Sequence, residues 1–200
     1  MTDAARSAVK ERTTKETSIS VRLDLDGRDG EVRASTGLPF FDHMLDQLGR
    51  HGGFDLVVEA TGDLEVDGHH TVEDVAITVG ECFRAAVGDK AGIRRFASGL
   101  YPLDEALVEV ALDVSGRPFC AYEVPFGEVL PLGDPPFNPE MAEHFWQSFA
   151  TAAGITLHVR LREGRNTHHI VEACFKGVAR CLRDAVRVEG GGVPSTKGAL

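Results

Sequence analysis

The sequence predicts an α+β fold built from one unit used twice. Three observations lead there. The pattern His-His-x-x-Glu occurs as His69-His70-Thr71-Val72-Glu73 and again as His168-His169-Ile170-Val171-Glu172, each opening an apolar stretch of helical period. An acid-His pair precedes each copy: Asp42-His43 lies 70 − 43 = 27 residues before His70, and Glu143-His144 lies 169 − 144 = 25 residues before His169. Between them, residues 54–60 (FDLVVEA) and 155–161 (ITLHVRL) occupy matching places as strand-like runs. A whole supersecondary unit therefore repeats. The expected architecture is two β-β-α-β-(β)-α halves, each a mixed sheet packed on two helices, joined as a pseudo-symmetric helix/sheet sandwich.

The elements follow in order. Residues 1–11 are small, polar and charged, and read as a disordered tail. Residues 17–25 alternate polar and apolar as a half-buried strand does. Asp26-Gly27-Arg28-Asp29-Gly30 turns the chain, and residues 31–35 read as the returning strand of a hairpin. Pro39 opens a helix to about Arg50 that buries Phe40, Phe41, Met44, Leu45 and Leu48. The strand at 54–60, a turn at Thr61-Gly62-Asp63 and a short strand at 64–66 lead to a helix from about His70 to Val87. Residues 88–96 are too short and mixed for a flexible linker, so the halves are expected to pack together. In the second half, strands at 107–114 and 118–124 pair across Ser115-Gly116-Arg117. The Pro-rich stretch around 122–140 reads as a surface loop remote from the site. A helix at about 143–153, a strand at 155–161 and a helix at about 167–186 complete the unit. The domain reading is a tail at 1–11, a first half at 12–92, a second at 93–188 and a Gly-rich tail at 189–200, forming one catalytic domain.

Composition narrows the function classes. A chain of 200 residues, 42% hydrophobic and 26% charged, fits a soluble globular protein. A net charge of −10 argues against a general nucleic-acid binder. No apolar run approaches the roughly 20 residues of a membrane span, and the first residues hold no apolar signal core. Cys82, Cys120, Cys174 and Cys181 lack metal-finger or redox spacing and read as reduced cysteines of a cytoplasmic protein.

The repeated motif carries the chemistry. On a helix, His70 and Glu73 share a face, as do His169 and Glu172, while the preceding histidine lies roughly 100° around and aims elsewhere. Imidazole and carboxylate converging at this spacing chelate divalent transition metals. A single His-His pair is more often a surface or capping pair; two copies inside a repeated unit favour metal. His51 and His158 stand outside the pattern and read as structural.

With these residues in view, the chain resembles the imidazoleglycerol-phosphate dehydratases of histidine biosynthesis, from about residue 12 to residue 200. The resemblance is carried by Thr14-Lys15-Glu16-Thr17, Phe41-Asp42-His43-Met44-Leu45-Asp46-Gln47, Ala60-Thr61-Gly62-Asp63 and residues 69–74. It continues through Arg95-Phe96, Leu103-Asp104-Glu105-Ala106, residues 113–118, 168–172 and Pro194-Ser195-Thr196-Lys197-Gly198. It implies two manganese ions per active site, sites between subunits, and a 24-subunit octahedral homo-oligomer. One ion would take His43, His70, Glu73 and His168, and the other His69, His144, His169 and Glu172. Such a donor set suits Mn²⁺, and Zn²⁺ or Fe²⁺ accept the same nitrogens.

The implied reaction removes water from imidazole glycerol phosphate to give imidazole acetol phosphate. No carbonyl acidifies the C–H bond, so the ring must assist, through an imidazolate and then a diazafulvene-type intermediate. The resemblance assigns acid–base work to Glu16, against the bland reading of a strand-end charge, with Glu73 and Glu172 as further proton carriers. It assigns phosphate binding to Arg95, Arg117, Lys176, Ser195 and Lys197, and substrate contact to Gln47. The tail at 195–198 is expected to close over phosphate. Two other classes compete: a dinuclear hydrolase of phosphate esters, and a non-catalytic shell in which the histidines cement an assembly. Neither gives Glu16 or the phosphate tail a task.

Overall fold

The computed structural model describes residues 6–127 and 129–196. Two four-stranded mixed sheets enclose four helices. The first half runs β1 (Ser7–Thr13), β2 (Thr17–Asp24), β3 (Val32–Ser35), α1 (Pro39–Gly52), β4 (Asp55–Gly62) and α2 (His69–Val87). The second runs β5 (Phe96–Leu103), β6 (Ala106–Asp113), β7 (Phe119–Glu123), α3 (Met141–Ala153), β8 (Thr156–Glu163) and α4 (Thr167–Ala185). Sheet orders are β1-β2-β4-β3 and β5-β6-β8-β7, so the halves share one topology. The duplicated α+β architecture expected from the motifs is present.

Its strands differ from that expectation in five places. Residues 7–11 are not a tail: they belong to β1, which pairs antiparallel with β2 from Ser7↔Asp24 to Thr13↔Ser18. β1 is an edge strand with charged Lys10, Glu11 and Arg12, a composition that discourages edge-to-edge association and hides the strand from a hydrophobicity reading. β3 does not return beside β2; it runs parallel to β4, which sits between them after the α1 crossover. β7 likewise pairs parallel with β8 rather than with β6. Residues 64–66 form a turn rather than a strand, and β5, for which no strand was expected, pairs along β6. Each half therefore carries three strands before its first helix. The central strands β2 and β6 alternate buried and less buried residues, as period-two patterning requires.

The helices lie between the sheets. α1 and α2 cover the first sheet and α4 and α3 the second, while α2 packs on α3 and α1 on α4. One aromatic cluster crosses the halves: Phe41 meets Phe145 edge-on at 5.6 Å, Phe145 lies 5.1 Å from Phe175, and Trp146 lies 4.7 Å from Phe175. Each of these rings is fully buried, so neither half has a separate core. The Pro-rich stretch joins this core. Most of its described residues are exposed, as in a surface loop, but Phe137 is buried, stacks on Phe41 at 5.8 Å and touches Phe40 at 5.5 Å, so this ring anchors the loop on α1. No helix among the described residues is long and apolar enough to cross a membrane. The four cysteines are unpaired, and burial pushes the Cys174 thiol up to about 12, which leaves it an inert core residue.

Candidate metal centres and phosphate-binding residues

Two His/Glu clusters form at the N-terminal ends of the paired helices. In the first, α1 presents His43 and α4 presents His168 and Glu172. Nε2 of His168 lies 2.9 Å from Oε2 of Glu172, and Nε2 of His43 lies 3.5 Å from the same oxygen. In the second, α2 presents His69 and Glu73 and α3 presents His144. The His69 and His144 rings are 4.2 Å apart, and Nε2 of His144 is 3.6 Å from Oε1 of Glu73. The ligand atoms in each cluster lie within 4.8 Å of one another. Two ligands each about 2.1 Å from a shared ion and about 90° apart are roughly 3 Å from each other, so these spacings fit a metal. His144 adds an independent sign: its Nε2 is buried with no hydrogen-bond partner, a costly state that an ion relieves.

Local sequence explains the arrangement. Asn166 caps α4 by accepting the His169 amide hydrogen at 3.2 Å, which starts the helix at the motif. From there His168 and Glu172 are four apart and share a face, as do His69 and Glu73 on α2. The groups that one chain brings together do not reproduce the two ligand sets implied by the resemblance. Within one chain Glu172 lies with His43 and His168, and Glu73 lies with His69 and His144, so in each cluster the carboxylate stands beside the histidine four residues before it.

His70 and His169 join neither cluster of their own chain. Nδ1 of His70 donates to Asp63 at 3.0 Å, and Nδ1 of His169 donates to Glu105 at 2.7 Å. A carboxylate only accepts, so both rings carry their proton on Nδ1 and keep the Nε2 lone pair for a ligand. The hydrogen bonds to Asp63 and Glu105 raise the pKa of His70 and His169 respectively, and the His169 hydrogen bond draws Glu105 down to about 2. Sequence reading assigned Asp63 and Glu105 no task, although both lie in segments that carried the resemblance.

The remaining candidates fall into three groups. Glu16 lies at the β1–β2 turn, exposed, with Oε2 4.0 Å from Nδ1 of His70. Lys176 pairs with Oε1 of Glu172 at 2.5 Å, one turn further along α4. Burial of Glu172 opposes its charge, but Lys176, His168 and His43 outweigh that and hold its carboxyl below the usual range. Gln47 is buried, with Nε2 3.4 Å from His43 Nδ1 and Oε1 3.2 Å from His51 Nε2. It supports His43, and His51 is tied to the same chain of contacts. His158 lies against Phe119 on the outer face of the second sheet.

The third group is far away. Arg95 donates to both oxygens of Asp113, at 2.6 and 3.0 Å, and to the Pro194 carbonyl at 2.7 Å, so it holds the tail. Exposed Arg117 lies 3.7 Å from Asp113, and Ser195 is in the segment just after Pro194. The Arg95 amide donates to the carbonyl of Ala185, the last residue of α4. His168 stands at the other end of that 19-residue helix, roughly 25 Å off at 1.5 Å per residue. Lys197 lies outside the described residues.

Comparison with known proteins agrees with this fold. The family model "Imidazoleglycerol-phosphate dehydratase" matches residues 36–182. The chain is 56% identical to the imidazoleglycerol-phosphate dehydratase of Acidothermus cellulolyticus over 98% of its own length and 93% of the relative's. It is 50% identical to that of Methanopyrus kandleri over 99% of its length and 98% of the relative's. The crystal structure of the Pyrococcus furiosus enzyme, in complex with (S)-C348, superposes with a TM-score of 0.81 at 35% identity, over 96% of this chain and all of that one. The Staphylococcus aureus enzyme gives a TM-score of 0.79 at 32% identity, over 90% of this chain and 97% of that one. A duplicated sheet with paired His/Glu helix ends, matched along nearly its whole length by these enzymes, places the chain in the imidazoleglycerol-phosphate dehydratase family.

Proposed function

We propose that the chain acts in the cytoplasm as a manganese-dependent hydro-lyase in histidine biosynthesis, removing water from imidazole glycerol phosphate to give imidazole acetol phosphate. The observation that carries the metal reading is the pair of His/Glu clusters, with the partnerless buried Nε2 of His144 in one of them. His43, His168 and Glu172 would hold one Mn²⁺, and His69, Glu73 and His144 the other. Ions held there would supply Lewis acidity to the substrate.

The chain's own residues do the rest. Glu16 is exposed, 4.0 Å from His70 and hydrogen-bonded through its carboxylate to no side chain among the described residues, so it can take the C–H proton from the carbon one bond beyond the ring-bearing carbon. The proton so removed and the departing hydroxyl together make up the water lost, and the enol becomes the ketone. Lys176 steadies Glu172 and adds positive charge beside the cluster. Arg95, Arg117, Ser195 and Lys197 grip the phosphate.

Distance supports sites shared between copies. A substrate of one ring, three carbons and a phosphate is far shorter than α4, so the His168 end and the Arg95 end of one chain do not serve the same molecule. His70 and His169 point the same way: each is oriented by a carboxylate yet excluded from its own chain's clusters. Each completes the cluster of a neighbouring copy, and the octahedral 24-subunit assembly supplies closed contacts of that kind.

The test is ketone formation from imidazole glycerol phosphate by metal-stripped protein with Mn²⁺ restored. Manganese-dependent turnover is expected. Folded, assembled protein that stays inactive with every divalent metal would overturn the assignment of this reaction to the clusters.

A further inference from the structure

The two halves differ where the proton carrier sits. Glu16 immediately precedes β2 and Glu105 immediately precedes β6, so they are equivalents in the repeat. In the second half Glu105 bonds His169, and the residues behind it are buried alanines: Ala106 begins β6 and Ala173 follows Glu172. In the first half Asp63 takes over the histidine, and the alanines are replaced by Thr17 and Asp74.

Asp74 is buried and doubly engaged. Its Oδ2 accepts from the Thr17 hydroxyl at 2.5 Å, and its Oδ1 from Arg12 at 2.7 Å. The Thr17 hydroxyl lies 3.1 Å from that of Thr14, and the Thr14 oxygen accepts the amide hydrogens of Glu16 at 3.1 Å and Thr17 at 3.0 Å. An unbroken chain of hydrogen bonds thus links the residue after Glu73 to the backbone of Glu16. Burying a carboxylate costs free energy, and the fold does not require this one: the second half docks the same hairpin on the same kind of helix with alanines.

We propose that Asp74 is a positioning residue, which through Thr17 and Thr14 holds Glu16 in register with the His69–Glu73 cluster. The proposal rests on the reading of Glu16 as proton carrier. In the first half Asp63 hydrogen-bonds the histidine, Glu16 stands 4.0 Å from the same ring nitrogen, and the polar clamp keeps Glu16 in place.

The test is a double-mutant cycle on the assembled, manganese-loaded protein, with melting temperature, metal content and assembly mass measured alongside. Converting Thr17 and Asp74 together to alanine reproduces the second half. It should lower kcat roughly 10- to 100-fold, the scale of a small misplacement of a catalytic group, with KM within about twofold and metal content unchanged. In a Glu16→Gln background the same pair should lower kcat no further. Thr17→Ser, which keeps the hydroxyl, should retain activity, and Thr17→Val, which keeps the shape, should lose it; this pair serves if the double alanine variant does not fold. Wild-type kcat in Glu16→Gln would overturn the reading of Glu16 itself. Loss of activity in Glu16→Gln, with unchanged kcat in the Thr17 and Asp74 variants or an equal further loss in the Glu16→Gln background, would overturn the positioning role alone.

Discussion

Nδ1 of His169 donates a hydrogen bond to Glu105 at 2.7 Å, and that bond decides what the ring can do. Without it either nitrogen could carry the hydrogen and the ring could turn. With it the Nε2 lone pair is fixed in direction and made more basic. Outer partners of this kind typically govern metal affinity by 10- to 100-fold. Glu105→Ala is therefore expected to weaken manganese binding by about that factor with little change in melting temperature, as read by metal titration of the stripped protein. Unaltered affinity would show that His169 takes no part in holding an ion. Glu105 was readable as part of a resembling segment, but its task was not, because its partner is on a helix 64 positions later in the chain.

At the scale of elements, the α2–α3 contact sets the second cluster. Gly80 lies where the helices touch; a Cβ there would meet the Ala152 Cβ at 2.8 Å and the Phe149 carbonyl oxygen at 2.8 Å. Backbone cannot yield as a side-chain tip does. Helix propensity alone favours Gly→Ala in a helix interior by about 1 kcal/mol, but overpacking costs about 1–3 kcal/mol and wins here. Gly80→Ala should lower the melting temperature, and by prising the helices apart should reduce metal bound at His69 and His144. A higher melting temperature would mean the contact has slack. The four helices themselves were legible, within a few residues, from their 3.6-residue apolar period. Strand partners were not. Each half brings β4 or β8 into the middle of its sheet after a helix crossover, and pairing at that range leaves no local mark.

For the whole molecule, the α4 helix separates Arg95 from the first cluster within one chain. Co-expression of a His168→Ala chain with an Arg95→Ala chain should yield mixed assemblies with activity that neither parent shows, because some sites then combine an intact cluster from one copy with an intact phosphate grip from another. Absence of any recovery in assemblies shown by mass to be mixed would contradict shared sites. Chelation should abolish turnover and, where ions bridge copies, shift the assembly to smaller species in size-exclusion chromatography with light scattering; full activity after chelation would refute the metal reading.

The sequence by itself determined the repeat, the helices, the two His-His-x-x-Glu motifs and, through its ordered matches to one family, the reaction. These are properties of residue type and spacing, and both survive in a linear string. Only the tertiary structure decided which carboxylates and histidines one chain brings within reach of each other, that Asp63 and Glu105 hydrogen-bond the two remaining rings, and that Asp74 reaches the backbone of Glu16. It also turned an apparent tail into the edge strand β1. The reason is physical: a ligand set is defined by atoms within a few ångströms in space. The choice between the third and fourth residue along a helix, or between two carboxylates on different strands, is made by packing and not by the order of the chain.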